Sequence, residues 1–539
     1  MSSSEVARQS VKSSVILLTG SLISNILLLV NVLLVARLLG HNLYGEYSLS
    51  IAPATIFVLF SGVGINTAIT RFAAYHISRG EIEEAKRKTV NGIRFLMLLG
   101  AVLALISYLL SPFIASNFFH RPALVPYVQL SSLAVIGQIA YQCGIASLVG
   151  WGNSKRATTS YVVQALVKVS LAPALILLGF GVFGAVLAQV SSLLVAASLS
   201  ILGLYFLKLR GGVTDSIENF ASDIKSMIRF GMPSEIGNYF SSFAGQNYAV
   251  IILGVFASNA IVGYFQAANN VTAVISIFAT SLILSLFAGF STLHGQRGDT
   301  SQGFVLAVKY AAFAGTPIIL FIIAASEPII RVVYGVAYSP AAPLLALLAF
   351  SNIPLVFGQS VFAPYFNGIG KTRFTMFAMT ADGATALVLA PILGYFFGVY
   401  GVIVALLASN SASGIVALYL AKRFLNTEIN YYSSAMAFTA SLLCAACAYA
   451  LSIPNHSTSL FWNLIVLVLE FIVFFGLYLL IAPLLRVIRR DDVSRLEQAS
   501  RGMGTLSRII SIILRIENRL AARGTSQVAA TEATTSNES

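Results

Sequence analysis

The groups in this chain best suited to chemistry are polar side chains set inside long apolar runs. In residues 230–256, Glu235, Asn238, Ser242 and Gln246 recur at i, i+3, i+7 and i+11, one face of a helix, with Asn247 beside them. In residues 261–289, Gln266, Asn269, Ser276 and Thr280 lie close to one face, with Asn270 adjacent. The first apolar run carries Ser24, Asn25, Asn31 and Arg37, and the second carries Asn66, Thr70 and Arg71. Amides both donate and accept hydrogen bonds, so such stripes can replace water around sugar hydroxyls. Arg37 and Arg71 offer planar forks that match phosphate oxygens. Each has a plainer reading: Asn and Ser join helices, and Arg near a helix end snorkels to the interface.

Ionisable groups inside apolar runs are costly and so are functional candidates. Glu235 sits on a polar face and suits proton or sodium coupling. Lys168 and Asp382 also lie well inside apolar runs and are candidates for an ion-coupling site, or each bonds within its own half of the molecule. Glu470 faces either a lipid groove or a partner. Other motifs carry less. Gly370-Lys371-Thr372 mimics the end of a P-loop, but Tyr365 stands where that loop needs glycine, so ATP use is not expected. Cys143, Cys444 and Cys447 lie in apolar runs and read as small buried core residues. The five His residues form no ligand spacing, and no cofactor or metal is expected. Asn455-His-Ser457 is a sequon in an expected outer loop.

These side chains need a scaffold, and composition says which kind. Of 539 residues, 57% are hydrophobic and 10% charged, with mean hydropathy +0.84. Soluble domains carry roughly 25% charged residues, so this chain cannot coat a water-facing surface. A soluble enzyme, a disordered protein and a disulfide scaffold are excluded. Runs of roughly 20 apolar residues predict fourteen spans, at about 14–39, 47–72, 93–115, 124–149, 158–180, 182–207, 230–256, 261–289, 304–325, 341–366, 375–397, 399–421, 433–452 and 459–483. The pairs meeting at Gly179–Gly184 and Gly398–Gly401 read as tight hairpins. The first run has no cleavage signal and is expected to remain as a span.

The charge balance, 33 Lys+Arg against 20 Asp+Glu, reports topology here and not nucleic acid. Odd-numbered loops carry only Arg37, Arg121 and Arg331, whereas the N-terminus, the even-numbered loops and the tail carry nearly all the rest. Both termini are therefore expected in the cytoplasm. Two cytoplasmic segments read as amphipathic helices. One, before the seventh span, has Ile217, Phe220, Ile224 and Met227 on one face; the other, in the tail, has Leu506, Ile509, Ile510, Ile513 and Ile516. The expectation for both is a helix lying on anionic lipid. From Gly524 onward no periodicity remains, and disorder is expected.

The chain also repeats itself. Gly152-Asn-Ser-Lys-Arg156 matches Gly370-Lys-Thr-Arg373, Leu171-Ala-Pro173 matches Leu389-Ala-Pro391, and Gly181-Val-Phe-Gly184 matches Gly398-Val-Tyr-Gly401, all offset by 217–218 residues. More weakly, Gly45-Glu-Tyr47 matches Gly263-Tyr-Phe265. Spans 1–6 and 7–12 are thus expected to be two copies of one six-helix unit, related by a pseudo-two-fold along the membrane normal. Halves of this kind carry substrate at their interface and rock about it. The expected division is a cytoplasmic N-terminus (1–13), an N-lobe (14–207), an amphipathic linker helix (208–229), a C-lobe (230–421), two extra spans (422–483) and a cytoplasmic tail (484–539).

The stretch Ala36-Arg-Leu-Leu-Gly40 with Gly45-Glu-Tyr47, the twelve-plus-two plan, and Gly368-Ile-Gly-Lys-Thr-Arg373 resemble the multidrug/oligosaccharidyl-lipid/polysaccharide exporter superfamily. Within it they look most like polysaccharide-biosynthesis flippases of the O-antigen-translocase type. The resemblance implies an all-α membrane protein with a central cavity lined mainly by spans 1, 2, 7 and 8. It further implies alternating-access transport of a polyprenyl-linked oligosaccharide across the cell membrane, by a monomer among membrane lipids, with H+ or Na+ as coupling ions. The alternative is a cation-coupled small-molecule exporter of the same superfamily. An enzyme of the same pathway would need a large extramembrane domain, and the expected outer loops are short.

Overall fold

The computed structural model describes residues 3–205, 217–295, 300–425, 431–452, 459–485 and Val487. Every regular element among them is helical. Nine helical stretches among the described residues are long and apolar enough to cross a membrane. In hydrocarbon a helix satisfies its own backbone polar groups, which is why such runs adopt no other form. The protein is an all-α, multi-pass membrane protein. The tail helix around Leu506–Ile516, the sequon at Asn455 and the stretch 484–539, apart from Leu484, Leu485 and Val487, lie outside the described residues.

Two of the nine stretches double back. Helix α5 (Ser154–Leu175) runs through a wide turn into α6 (Gly181–Tyr205), with Gly179 at φ 92° and Gly181 at φ 50°. The Arg156 guanidinium donates to the Gly203 carbonyl at 2.8 Å, so the start of α5 meets the end of α6. The second hairpin, within Thr372–Leu425, turns at Gly398 (φ 58°), and the rings of Phe374 and Phe424 close its other end at 5.6 Å. Both expected hairpins are therefore present, at the glycines that supply positive φ.

Packing divides the chain into two compact units, residues 1–270 with 379–405 and residues 271–378 with 406–539. The first contains α1 (Ser3–Leu59, broken at Gly40), α2 (Ile65–Ser78), α3 (Ile82–Pro112), α4 (Val125–Gly150), α5, α6, α7 (Ile217–Phe243) and α8 (Gln246–Phe256). It also takes in the start of α9 (Asn259–Gly295). The second contains the rest of α9, α10 (Thr300–Ala324), α11 (Ser326–Tyr334), α12 (Ala342–Ser351) and α13 (Ser360–Gly368). It also holds both ends of α14 (Thr372–Leu425), then α15 (Tyr432–Ser452) and α16 (Leu460–Leu484). One core of the first unit gathers Ile65, Ile69, Leu96, Ile139, Ile224 and Met227. In the second unit Phe304, Phe362, Tyr365 and Phe366 pack together, and Leu320, Cys444, Phe474 and Tyr478 form a separate cluster.

Several expectations need correcting. The second span is not continuous: α1 ends at Leu59 and α2 starts at Ile65 after a turn in which Gly64 has φ 77°. The seventh span breaks at Ala244–Gly245, where Gly245 is extended. The tenth breaks at Gly358 (φ 117°). The helix before the seventh span does not lie free on lipid. It is the first half of α7, and Ile224 and Met227 are buried against α2, α3 and α4. Cys143 and Cys444 are buried as expected, but Cys447 is exposed. Glu470 is fully buried on α16, which leaves it no open lipid groove or partner face.

Candidate functional site

Most of the chemistry-bearing side chains fall in the first unit, where α1, α2, α7, α8 and α9 meet. At the end of the unit away from the basic loops, two glycines let backbones touch. A methyl on Gly45 would fall on the Asn259 carbonyl, and one on Gly263 on the His41 carbonyl. Polar contacts surround this approach. Asn259 Nδ2 donates to Glu46 Oε1 at 3.0 Å, and the His41 and Tyr264 rings stack at 4.9 Å. Asn270 Nδ2 donates to the Tyr44 hydroxyl at 2.8 Å.

These contacts have a symmetry. Positions 41, 45 and 46 lie 218 residues before 259, 263 and 264. Gly45 meets Gly263, its own repeat equivalent, while Glu46 meets Asn259 and Tyr264 meets His41. Exchange of partners in this way is the signature of an isologous contact about a two-fold axis. Arg121, between α3 and α4, closes the same end. Its guanidinium donates to the Gly254 carbonyl at 2.5 Å and to the Ala257 carbonyl, which ends α8. A cation is favoured at a helix C-terminus. Partial burial lowers the Arg121 pKa, with Glu46 opposing the shift.

At the basic end the break between α1 and α2 meets the continuous helix α7. Gly64, in the gap between α1 and α2, packs against Gly231 of α7 so closely that neither position has room for a side chain. A methyl on nearby Gly62 would lie 3.5 Å from Glu235 Oε2 and 3.7 Å from the Tyr239 hydroxyl. Non-helical backbone at membrane depth persists only where protein or a wet cavity covers it, and α7 supplies that cover here. Below it, buried Asp223 accepts from Arg87 Nε and Asn91 Nδ2 at 3.1 Å each, with Lys88 Nζ at 3.7 Å.

The residues singled out from the sequence distribute as follows. Glu235 is half-buried and Asn238, exposed, reaches its Oε2 at 3.5 Å. Ser242 is half-buried and donates to the Asn238 carbonyl at 2.7 Å. The break at Gly245 puts Gln246 at the start of a new helix, α8. Asp382, 9% exposed on α14, receives the Ser241 hydroxyl at 3.4 Å, one residue from the stripe. Gln266 and Asn269 are half-buried on α9. On α1, Asn25 and Arg37 are exposed, whereas Asn31 is 1% exposed. Its Oδ1, like the Oδ1 of Asn66 and the Oε1 of Gln266, has no hydrogen-bond partner among the described residues. Arg71 is exposed and lies 4.0 Å over the Phe230 ring. Stacking uses the guanidinium face and leaves its N–H edge.

Lys168 is half-buried on α5. Helices α1 and α5 pack in parallel, with Thr158 donating to the Ile16 carbonyl at 3.2 Å and Ser24 to the Tyr161 carbonyl at 3.0 Å. Sequence reasoning missed Glu46, Asn259, Ser241 and Asp223, and took Arg121 only as a loop charge. The one signal for Arg121 was its place among the few basic residues on the wrong side of the charge bias. Among the described residues no cluster of three or more His, Cys, Asp or Glu is placed to hold a metal.

A multi-pass helical protein whose spans break at glycines and whose repeat-equivalent segments exchange partners is organised like the transporter folds built from internal repeats. The sequence pattern of the polysaccharide biosynthesis protein family matches residues 10–294, and the chain belongs to that family, within the multidrug/oligosaccharidyl-lipid/polysaccharide exporter superfamily. It is 22% identical over 348 residues to the succinoglycan biosynthesis transport protein ExoT of Rhizobium meliloti, covering 64% of this chain and 66% of that one. It is 23% identical over 223 residues to the probable low-salt glycan biosynthesis flippase Agl15 of Haloferax volcanii, covering 40% and 45%. The chain thus spans just under two thirds of the first relative and less than half of the second. Its fold is similar to that of the lipid II flippase MurJ in an inward closed conformation, with TM-score 0.69 and 14% identity over 87% of this chain and 98% of that one. It is also similar to an inward-facing multidrug resistance MATE transporter, with TM-score 0.63 and 17% identity over 76% and 98%.

Proposed function

We propose that this chain is a flippase that carries a polyprenyl-linked (pyro)phosphate oligosaccharide across the cell membrane by alternating access, working as a monomer with both termini in the cytoplasm. The observation that carries the reading is the reciprocal contact around Gly45 and Gly263, which supports two repeat halves hinged on a shared axis. In this reading the basic end faces the cytoplasm. The contacts of Arg121, Glu46 and His41 are then an outer gate, closed here.

The glycan headgroup enters from the basic side while its lipid tail stays in the bilayer. Asn25, Asn31, Asn66, Asn238, Ser242, Gln246, Gln266 and Asn269 supply the hydrogen bonds that replace water around its hydroxyls. Buried amide oxygens on Asn31, Asn66 and Gln266 that lack protein partners support that role. Arg71 near the basic rim and Arg37 near the other meet the phosphates in turn. Glu235 and Asp382, with Lys168, are the ion-coupling candidates, and Asp382 has the Ser241 hydroxyl as a second oxygen at hand. The work is transport and not bond chemistry, so no cofactor is required.

A cation-coupled small-molecule exporter is the second reading, favoured by buried Asp382 beside Ser241. The amide-rich faces favour the glycan. Deletion of the gene separates the two: the flippase reading requires lipid-linked sugar to accumulate on the cytoplasmic leaflet. Unchanged lipid-linked sugar together with raised drug sensitivity overturns it.

A further inference from the structure

The amphipathic first half of α7 divides its apolar residues between two jobs. Met227 is sealed inside the protein and Ile224 largely so. Phe220, Ala221, Ile224 and Ile228 line a groove of about 590 Å³, closed on its other wall by Phe95 of α3. Lys225 and Arg229, both exposed and one helical turn apart, edge the same groove. Among the described side chains, Asp223 is engaged by Arg87, Lys88 and Asn91, and Glu84 by Arg87. Beyond Phe95, α3 presents Leu98, Val102, Leu105 and Leu109 to the exterior. These follow at i+3, i+7, i+10 and i+14, so an apolar, lipid-facing stripe leads directly out of the groove.

We propose that this groove is a binding site for one anionic glycerophospholipid, its acyl chain against Phe95, Phe220 and Ile228 and its phosphate held by Lys225 and Arg229. The charge selects the occupant. An apolar groove alone would take any lipid, but two basic groups at its rim favour a phosphate whose headgroup does not carry a compensating cation. The helix that forms the site continues without interruption to Gly231 and Glu235, so the bound lipid braces the segment that covers the break in the second span. This inference rests on the membrane fold and is independent of the substrate reading.

The test uses the full chain purified from membranes that contain both phosphatidylglycerol and phosphatidylcholine, with retained lipid counted by native mass spectrometry. Wild-type protein should hold one phosphatidylglycerol in preference to phosphatidylcholine. A near-surface basic residue contributes roughly a fivefold preference. Lys225→Gln with Arg229→Gln should therefore abolish the preference, and Lys225→Arg should keep it. Ala221→Trp, at an exposed position on the groove wall, should reduce retention of either lipid. Equal retention of the two lipids by wild type overturns the proposal. So does an unchanged preference in the double Gln variant, or full retention by Ala221→Trp in protein whose melting matches wild type.

Discussion

Replacing Arg121 by alanine perturbs the proposed outer gate at its two-carbonyl clamp. The guanidinium donates to Gly254 O at 2.5 Å and also to Ala257 O, two carbonyls of the last turn and cap of α8 that α8 itself leaves open. A hydrogen bond from a charged donor contributes about 1.5–3 kcal/mol. Arg121 is only partly buried, so water recovers part of what is lost, and about 2–3 kcal/mol is the expected net loss to the closed state. At 1.4 kcal/mol per factor of ten, the open-to-closed ratio should rise about thirty- to hundred-and-fifty-fold. Leu49, fully buried beneath this contact and beside Gly254, is the reporter position. In a background without the native cysteines, Leu49→Cys should react with a membrane-impermeant maleimide faster by that factor when Arg121 is alanine. Arg121→Lys keeps the charge and loses the fork, so it should fall between. Burial lowers the Arg121 pKa, but arginine stays protonated across ordinary pH, so the labelling rate should be flat from about pH 5 to 8. A wild-type labelling rate in Arg121→Ala, with unchanged melting, would refute the gate.

Gly45→Ala would set a methyl on the Asn259 carbonyl, so it should raise labelling of Leu49→Cys in the same assay, as should Gly263→Ala. Asp223→Ala leaves Arg87 and Lys88 without their buried anion. Removing one partner of a buried pair costs about 3–5 kcal/mol, and partial exposure of Arg87 reduces this to about 2–3, read as a lower melting temperature that Asp223→Asn only partly shares. Ser241→Ala and Asp382→Asn should each weaken the dependence of flipping on an imposed ion gradient while headgroup binding persists; identical gradient dependence in both would remove the coupling role. The Glu81 carboxyl, between α2 and α3, is held below its ordinary range first by the His76 hydrogen bond and then by Arg79. Its stabilisation is complete above the unfolded carboxylate pKa and is lost as pH falls through the lowered value. The melting difference between wild type and Glu81→Gln should therefore shrink only below about pH 4.

Much of this was legible because membrane helices are written in composition. Apolar runs marked an all-α membrane protein, and glycine pairs located both hairpins, since a reversal there needs positive φ. The repeat was legible too, and the partner exchange at positions 41, 45, 46, 259, 263 and 264 is its physical consequence. The breaks near Gly64 and Gly245 were not legible. Hydropathy continues through them, and what holds the first open is the backbone of Gly231, distant in sequence. Likewise, the period of Phe220, Ile224 and Met227 required an apolar partner but could not say whether lipid or protein would supply it; the structure supplies α2, α3 and α4 for Ile224 and Met227.

The sequence by itself determined the class of molecule, its charge asymmetry and its internal repeat, because each depends on local composition or on self-similarity along the chain. Only the tertiary structure decided which polar groups meet. Arg121 finds its carbonyl at Gly254 across 133 residues, Ser241 finds Asp382 across 141, and Asp223 finds Arg87 across 136. A hydrogen bond requires two groups within about 3 Å in a set orientation, and no pattern of residue types along one chain encodes that distance until the helices have packed.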